Sequence, residues 1–381
     1  MRETVDGIDF LDMIRENSEK KGHTFNDISD YLEMRAREQG VPIHGQFELT
    51  PLCNFDCKMC YTHLTTEQMN GRPLLTVPQW KEMIRQAWER GMFKATLTGG
   101  ECLTYPGFEE IYLFLHSLGC EVHVLSNGLL LGESWVNFFK EHMPASIQIT
   151  LYGNSDDCYE GVTGKRVFGK VCENIKRIKE ADLPLKISIT PSRYLGEAVF
   201  DTIRLAKDLC GNVEVNSGLF APREETGRSG QNDDLSIDEY IRIYRLMEEL
   251  DGYEVREVPD EILPEPGGNP PEGIANGLRC GGGRSCFVVD WKGRMTPCNE
   301  LEQIGAYPLQ VGFNKAWETI NEACCNWPRV AECEVCPYVS VCRTCAAGML
   351  RYAPPGERPV GLCEQTRKMV KCGIYRIPGC S

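Results

Sequence analysis

From residue 45 to about 220 the chain repeats one pattern. A short run of β-forming residues, often alternating apolar with polar, gives way to a longer stretch whose apolar residues recur every three or four positions. Period two marks strands, a period near 3.6 marks amphipathic helices, and their regular exchange predicts βα units on a parallel sheet. Six strands are expected: QFELT at 46–50, KATLT at 94–98, EVHVLS at 121–126, SIQITL at 146–151, LKISIT at 185–190 and VEVNS at 213–217. Helices are expected near 78–90, 107–118, 133–142, 166–180, 197–209 and 236–250.

In folds of this kind chemistry gathers on the loops that follow the C-terminal ends of the strands. The loop after the first strand reads PLCNFDCKMCY, residues 51–61; the next carry Thr98-Gly99-Gly100-Glu101, Ser126-Asn127-Gly128 and Thr150-Leu151-Tyr152-Gly153. Four unusual loops on one rim argue for one active site. Residues 1–44 read as a small helical extension and 45–250 as the βα body. Residues 251–279, rich in Pro, Gly and acidic residues, read as a linker. The stretch 280–381 is poor in long periodic segments and dense in cysteine, as expected of a region that metal organises in place of apolar burial.

Composition changes the picture at one point. A chain of 381 residues with 42% hydrophobic and 25% charged residues is ordinary, but twenty cysteines are several times the usual share. No secretory signal and no long apolar run interrupts the chain, so a soluble cytoplasmic protein is expected. In that reducing compartment cysteines serve metals or catalysis more often than disulfides. A net charge of -14 gives no basic surface for nucleic acid or anionic membrane, and is compatible with a basic peptide.

Cys53, Cys57 and Cys60 form a C-x3-C-x2-C triplet, one ligand short of a closed zinc site. Three thiolates can instead hold three irons of a 4Fe-4S cluster and leave the fourth open to a small molecule. Half a zinc site completed by a distant cysteine is the plain alternative, and GGE taken alone is any strand-to-helix turn.

The triplet, its place after the first strand and the TGGE segment together resemble the radical S-adenosylmethionine (radical SAM) superfamily. The resemblance implies a partial (β/α)6 TIM-like barrel. In the family the open iron chelates S-adenosylmethionine, and the reduced cluster cleaves it to methionine and a 5'-deoxyadenosyl radical. It further implies that Gly99, Gly100 and Glu101 lie along the methionine end, with backbone or the Glu carboxylate receiving its ammonium. Ser126 and Asn127, and Thr150 and Tyr152, would lie near the ribose and carboxylate, and Met59 and Tyr61 would flank the third cysteine, Met59 against the adenine.

A second resemblance lies in Cys280, Gly293 and Cys298, then Cys333-x2-Cys336-x5-Cys342-x2-Cys345 and Cys363. This is similar to the SPASM domain of radical SAM peptide and protein maturases, with the last internal gap one residue short. It implies two auxiliary 4Fe-4S clusters, one on Cys280, Cys286, Cys298 and Cys345 and one on Cys333, Cys336, Cys342 and Cys363. Two C-x2-C pairs also have zinc-ribbon spacing.

Among the other cysteines, Cys102 follows the GGE turn and is a candidate hydrogen-atom donor, with Cys372 and Cys380 as weaker ones. Asn299 stands where sulfatase maturases carry a catalytic Asp, and an amide takes no proton near neutral pH, so that activity is disfavoured. A fused precursor-recognition domain is not expected in 44 residues. The expected activity is radical modification of a peptide or protein, such as crosslinking, thioether formation, dehydrogenation or epimerisation, with electrons from flavodoxin or ferredoxin. Dehydrogenation of a small molecule, or a zinc-organised binding scaffold, are the alternatives.

Overall fold

The computed structural model describes residues 28–216, 218–223, 226–227, 234–269, 275–342 and 344–377. Most of the expected N-terminal extension, and Cys380, lie outside them; of the extension, the helix α1 (Ile28–Gln39) is described.

All six expected strands form: β1 (His44–Glu48), β2 (Lys94–Thr98), β3 (Glu121–Ser126), β4 (Ser146–Thr150), β5 (Leu185–Ile189) and β6 (Val213–Val215). They are joined through α2 (Val77–Glu89), α3 (Phe108–Ser117), α4 (Glu133–Glu141), α5 (Asp156–Thr163), α6 (Phe168–Glu180) and α7 (Ala198–Leu209), and α8 (Ile237–Leu250) follows. Local chemistry sets the helix starts: Thr76 and Gln79 form a capping box before α2, and Ser236 and Glu239 form another before α8.

The sheet runs β6-β5-β4-β3-β2-β1-β7-β8, parallel from β6 to β7. Its edges do not meet, so it is the expected partial barrel. The last two strands were not anticipated. β7 (Cys286–Val289) pairs parallel to β1, and β8 (Met295–Thr296) returns antiparallel, so the cysteine-rich part begins by extending the barrel sheet.

Strand alternation divides the sheet into two unlike faces. Phe47, Ala95, Leu97, Val124, Ile147, Ile149 and Ile187 are fully buried toward the helices, against Trp80, Ile111, Leu115, Phe139 and Ile175. The alternate positions Gln46, Thr98, Gln148, Thr150, Ser188 and Glu214 line a polar lumen. Parallel strands buried on both faces usually read as apolar runs. Here one face is reserved for a ligand.

The region after residue 280 is more regular than its sequence suggested. It holds two full helices, α9 (Phe313–Cys325) and α10 (Val360–Lys371). In α9 the buried residues Phe313, Ala316, Trp317, Ile320 and Cys324 follow helical spacing, and Phe313 and Trp317 pack on Phe287 of β7. This helix therefore belongs to the barrel's core. Beyond it the last cysteines are accompanied by small separate apolar clusters, Leu263, Tyr338, Val370 and Ile377 in one and Ile241, Met369 and Ile374 in another.

Candidate active site

The lumen opens at the C-terminal rim into a cavity of about 510 Å³. Cys53, Cys57 and Cys60 all line it, and no disulfide ties any of them. Also on its wall are Met59, Tyr61, Gly99, Gly100, Ser126, Asn127, Thr150, Tyr152 and Asn299. Most of the rim residues singled out in the sequence are thus brought to one place.

Glycine makes this possible on backbone grounds. Gly99 has φ +147°, and a Cβ on it would lie 2.4 Å from the Thr50 carbonyl oxygen; one on Gly100 would lie 2.4 Å from that of Leu52. With no Cβ in the way, the β2 rim lies directly on the cysteine loop, where the Gly100 amide donates to Thr50 O (2.6 Å) and the Glu101 amide to Leu52 O (3.0 Å).

Donors converge on the three sulfurs. The amide of Phe55 points at Cys53 Sγ (3.3 Å), Asn127 Nδ2 approaches the same atom (3.7 Å), and the amide of His63 points at Cys60 Sγ (3.3 Å). The Tyr152 hydroxyl is hydrogen-bonded to Cys57. Burial first, then the nearby Glu101 and Cys60, push the Cys53 thiol up to about 12 against the Phe55 and Asn127 donors, a neutral thiol at physiological pH unless a cation draws off the proton. One buried and two half-buried cysteines whose sulfurs are served by N–H and O–H donors are a donor set that fits an iron-sulfur cluster.

Two expected site residues are not at the cavity. Glu101 is 1% exposed and turned inward beneath the rim. Its carboxylate accepts from the Ser126 hydroxyl (3.0 and 3.1 Å), the Asn127 amide (2.7 Å) and the Leu103 amide (3.2 Å). Burial raises its pKa while these donors act against the rise. The carboxylate offered, with backbone, as a receiver of a cosubstrate ammonium is instead turned onto Ser126 and Asn127, and of the segment Thr98, Gly99 and Gly100 line the cavity. Cys102 is fully buried, its Sγ donating to Leu125 O (3.2 Å), and burial holds its pKa well above the usual thiol value. The thiol offered as a hydrogen-atom donor is thus enclosed beneath the rim and is not part of the cavity wall. Cys372 packs beside Met369 and Ile374, away from the cavity wall.

The sequence reading missed a clamp behind the cysteine loop. Glu48 is fully buried at the end of β1, where Arg223 meets both its oxygens (2.6 and 3.0 Å). Arg223 also donates to Glu302 (2.6 Å) and Thr62 (3.1 Å), and the Tyr61 hydroxyl donates to Glu48 (3.2 Å). Burial works against the Arg223 cation, but Glu48 outweighs it and keeps the guanidinium charged. Also missed were Gln46, which donates to Asn299 Oδ1 (3.1 Å), and Asn216, which donates to Ser188 (3.2 Å) and Thr190 (2.8 Å). The alternation of polar residues along β1, β4 and β5 was the available signal.

The later cysteines form two groups. Cys280, Cys286 and Cys298 face one another, with Cys345 beside Cys298; the buried Cys324 adjoins the same group. Cys333, Cys336, Cys342 and Cys363 share the wall of a small second cavity. Among the described residues, no set of His, Cys, Asp or Glu converges tightly enough for a single metal ion.

Comparison with known proteins decides the family. Residues 47–206 match the Radical SAM superfamily. That stretch, which runs from β1 into α7, is a radical SAM domain. A radical SAM domain implies a 4Fe-4S cluster and S-adenosylmethionine, and the donor set of the triplet cavity fits such a cluster.

The chain is 26% identical over 334 residues to the AdoMet-dependent heme synthase of Methanosarcina barkeri, covering 82% of this chain and 92% of the relative. It is 29% identical over 177 residues to the sporulation killing factor maturation protein SkfB of Bacillus subtilis, an alignment covering 45% of this chain and only 40% of SkfB. Among solved structures, Streptococcus suis SuiB superposes with a TM-score of 0.64 at 13% identity, covering 93% of this chain and 87% of SuiB. That fold match takes in the cysteine-rich part as well as the barrel. Among the described residues no helix is long and apolar enough to cross a membrane.

Proposed function

We propose that the chain is a peptide- or protein-modifying radical SAM/SPASM enzyme carrying three 4Fe-4S clusters. Cys53, Cys57 and Cys60 hold the S-adenosylmethionine-binding cluster. Cys280, Cys286, Cys298 and Cys345 hold the first auxiliary cluster, and Cys333, Cys336, Cys342 and Cys363 the second. When bound, the reduced triplet cluster supplies the electron that cleaves S-adenosylmethionine to methionine and a 5'-deoxyadenosyl radical.

The chain's own residues do the rest by positioning. The Gly99-Gly100 backbone leaves room for the methionine end, and Ser126 and Asn127, fixed from below by Glu101, present hydrogen bonds near the ribose. Met59 covers the adenine. Gln148, Ser188 and Asn216 give the lumen amide and hydroxyl groups that match a peptide backbone, and Asn299, held by Gln46, lines the face toward the first auxiliary group. A flavodoxin or ferredoxin supplies electrons.

The observation that carries this reading is the single cavity shared by the triplet, the rim segments and Asn299. Relatives named for peptide maturation support it: SkfB, and the PqqA peptide cyclase of Bradyrhizobium diazoefficiens, 23% identical over 71% of this chain. SuiB has also been solved bound to its precursor peptide SuiA. A second reading, a small-molecule substrate, is favoured by the heme synthase match, which spans nearly all of that relative.

One experiment separates them. Anaerobically reconstituted, reduced enzyme is incubated with S-adenosylmethionine in deuterated water, with candidate precursor peptides in one arm and tetrapyrroles in the other. Peptide-stimulated 5'-deoxyadenosine, with loss of two hydrogens or gain of one solvent deuterium in the peptide, is the expected result. Stimulation by tetrapyrroles alone overturns the peptide reading.

A further inference from the structure

Beside the catalytic cavity lies a second one of about 350 Å³, between α8, α10 and the turn after Cys345. The two cavities share the wall Gly218, Leu219 and Phe220. Phe220 packs edge-on against Tyr61 (5.1 Å between centroids), so that wall leans on the cysteine loop itself. A substrate that occupies the catalytic cavity has its neighbouring groups at the mouth of this annex.

The annex has a definite chemistry. Tyr240, Tyr244, Tyr352 and Tyr375 supply aromatic rings, and Met369 and Ile237 supply apolar surface. At the polar end Arg351 donates to Glu300 (2.6 Å) and to Leu219 O (2.6 Å), and lies 3.8 Å from Asp234. The Tyr240 hydroxyl donates to Asp234 (2.6 Å). Among the described residues that line the annex, two carboxylates therefore face one guanidinium, leaving a surplus of one negative charge.

That surplus decides the ligand. An anionic group would approach an arginine already neutralised by two carboxylates. A cation would meet the surplus charge and the negative faces of the tyrosine rings, with its aliphatic stem on Met369 and Ile237. The chain's net charge of -14 acts in the same direction at longer range.

We propose that the annex binds the side chain of a lysine or arginine that flanks the modified residue of the peptide substrate. This rests on the peptide reading above and adds to it a basic recognition residue. Asp234 is 38% and Glu300 17% exposed as side chains, so solvent screens the attraction. The preference for a basic over an isosteric neutral side chain is expected to be roughly threefold to tenfold.

The test uses immobilised, anaerobically reconstituted enzyme saturated with S-adenosylmethionine. A pool of short synthetic peptides, randomised at each position among lysine, arginine, norleucine, tyrosine and glutamate, is passed over it, and retained peptides are sequenced by mass spectrometry. The expected result is lysine or arginine enriched at one position, with the enrichment lost in the Asp234→Asn/Glu300→Gln double variant while peptides are still retained. Iron content and circular dichroism verify the fold of the variant, and Asp234→Asn alone is read in the same way if the double variant does not fold. Enrichment of glutamate or of neutral side chains overturns the proposal, as does a basic preference that persists in the variant. Retention of no peptide by the wild-type enzyme overturns the peptide reading along with it.

Discussion

The barrel and the cysteine-rich region solve opposite problems. The barrel buries a continuous apolar layer between sheet and helices and can spend the other face of the sheet on a polar cavity. The region beyond residue 326 has small apolar clusters, Tyr338, Val370 and Ile377 with Leu263, and Met369 and Ile374 with Ile241, beside four cysteines that share one small cavity. In the first, the cysteines accompany a large apolar core. In the second, the cysteines occupy the place of a core, and iron is expected to bear on stability as well as on chemistry.

The comparison breaks most sharply at the triplet. Cys57→Ala should abolish 5'-deoxyadenosine formation and remove about four of about twelve irons, while the thermal unfolding of the barrel shifts little. Iron analysis and calorimetry on one sample check both halves. A variant that unfolds would make the triplet as structural as the later cysteines.

The next largest effect is expected from Arg223→Met. This leaves Glu48, fully buried, without its cation, and should cost about 3–5 kcal/mol of stability. Adding Glu48→Gln should recover most of the loss, because the buried charge is then gone. Denaturant titration of the two single variants and the double variant measures the coupling. Additive losses would show that the pair does not hold the cysteine loop as a unit.

Chelation of iron tests the other region directly. Apo-protein should be cut by protease within residues 327–377 while the barrel fragment survives, since the former has much the smaller apolar core. Simultaneous loss of both would show that the two parts unfold together.

These unlike regions were unequally legible in the sequence. The strands KATLT and EVHVLS are found at their predicted positions, because β-branched residues and flanking Gly mark both ends. The triplet and the rim segments could be placed because each follows a strand end. What could not be read depends on partners distant in sequence. Glu101 looked like a ligand group because its burial under β3 comes from Ser126 and Asn127, some 25 residues away. Arg223 lies 175 residues from Glu48, in a stretch without periodicity. β7 is short, and its pairing with β1 is a tertiary event. Helix α9 was overlooked because polar residues and two adjacent cysteines blur its stripe, although Trp317 and Ile320 keep the helical spacing.

The smallest expected effect lies at the opposite end of β1 from the cavity, the face where barrels store stability. His44 Nε2 meets Thr96 Oγ1 (2.8 Å), and its ring lies 6.3 Å from that of His123. Burial first, then the nearby His123 and Lys94, lower its pKa to about 4. The folded state therefore prefers the neutral ring, whereas the unfolded chain takes up a proton near pH 6.5. The stability contribution is present above pH 6.5 and is lost as pH falls toward 4. Between pH 7 and pH 5 the wild-type protein should lose about 2 kcal/mol that His44→Gln, which preserves a partner for Thr96, does not lose. Carboxylates titrate in both proteins, so the difference between the two denaturation curves isolates the histidine. Parallel curves would mean that the lower end of the barrel opens enough to hydrate the ring, and that the rigid base assigned to the barrel in contrast to the cysteine-rich region is less rigid than its packing implies.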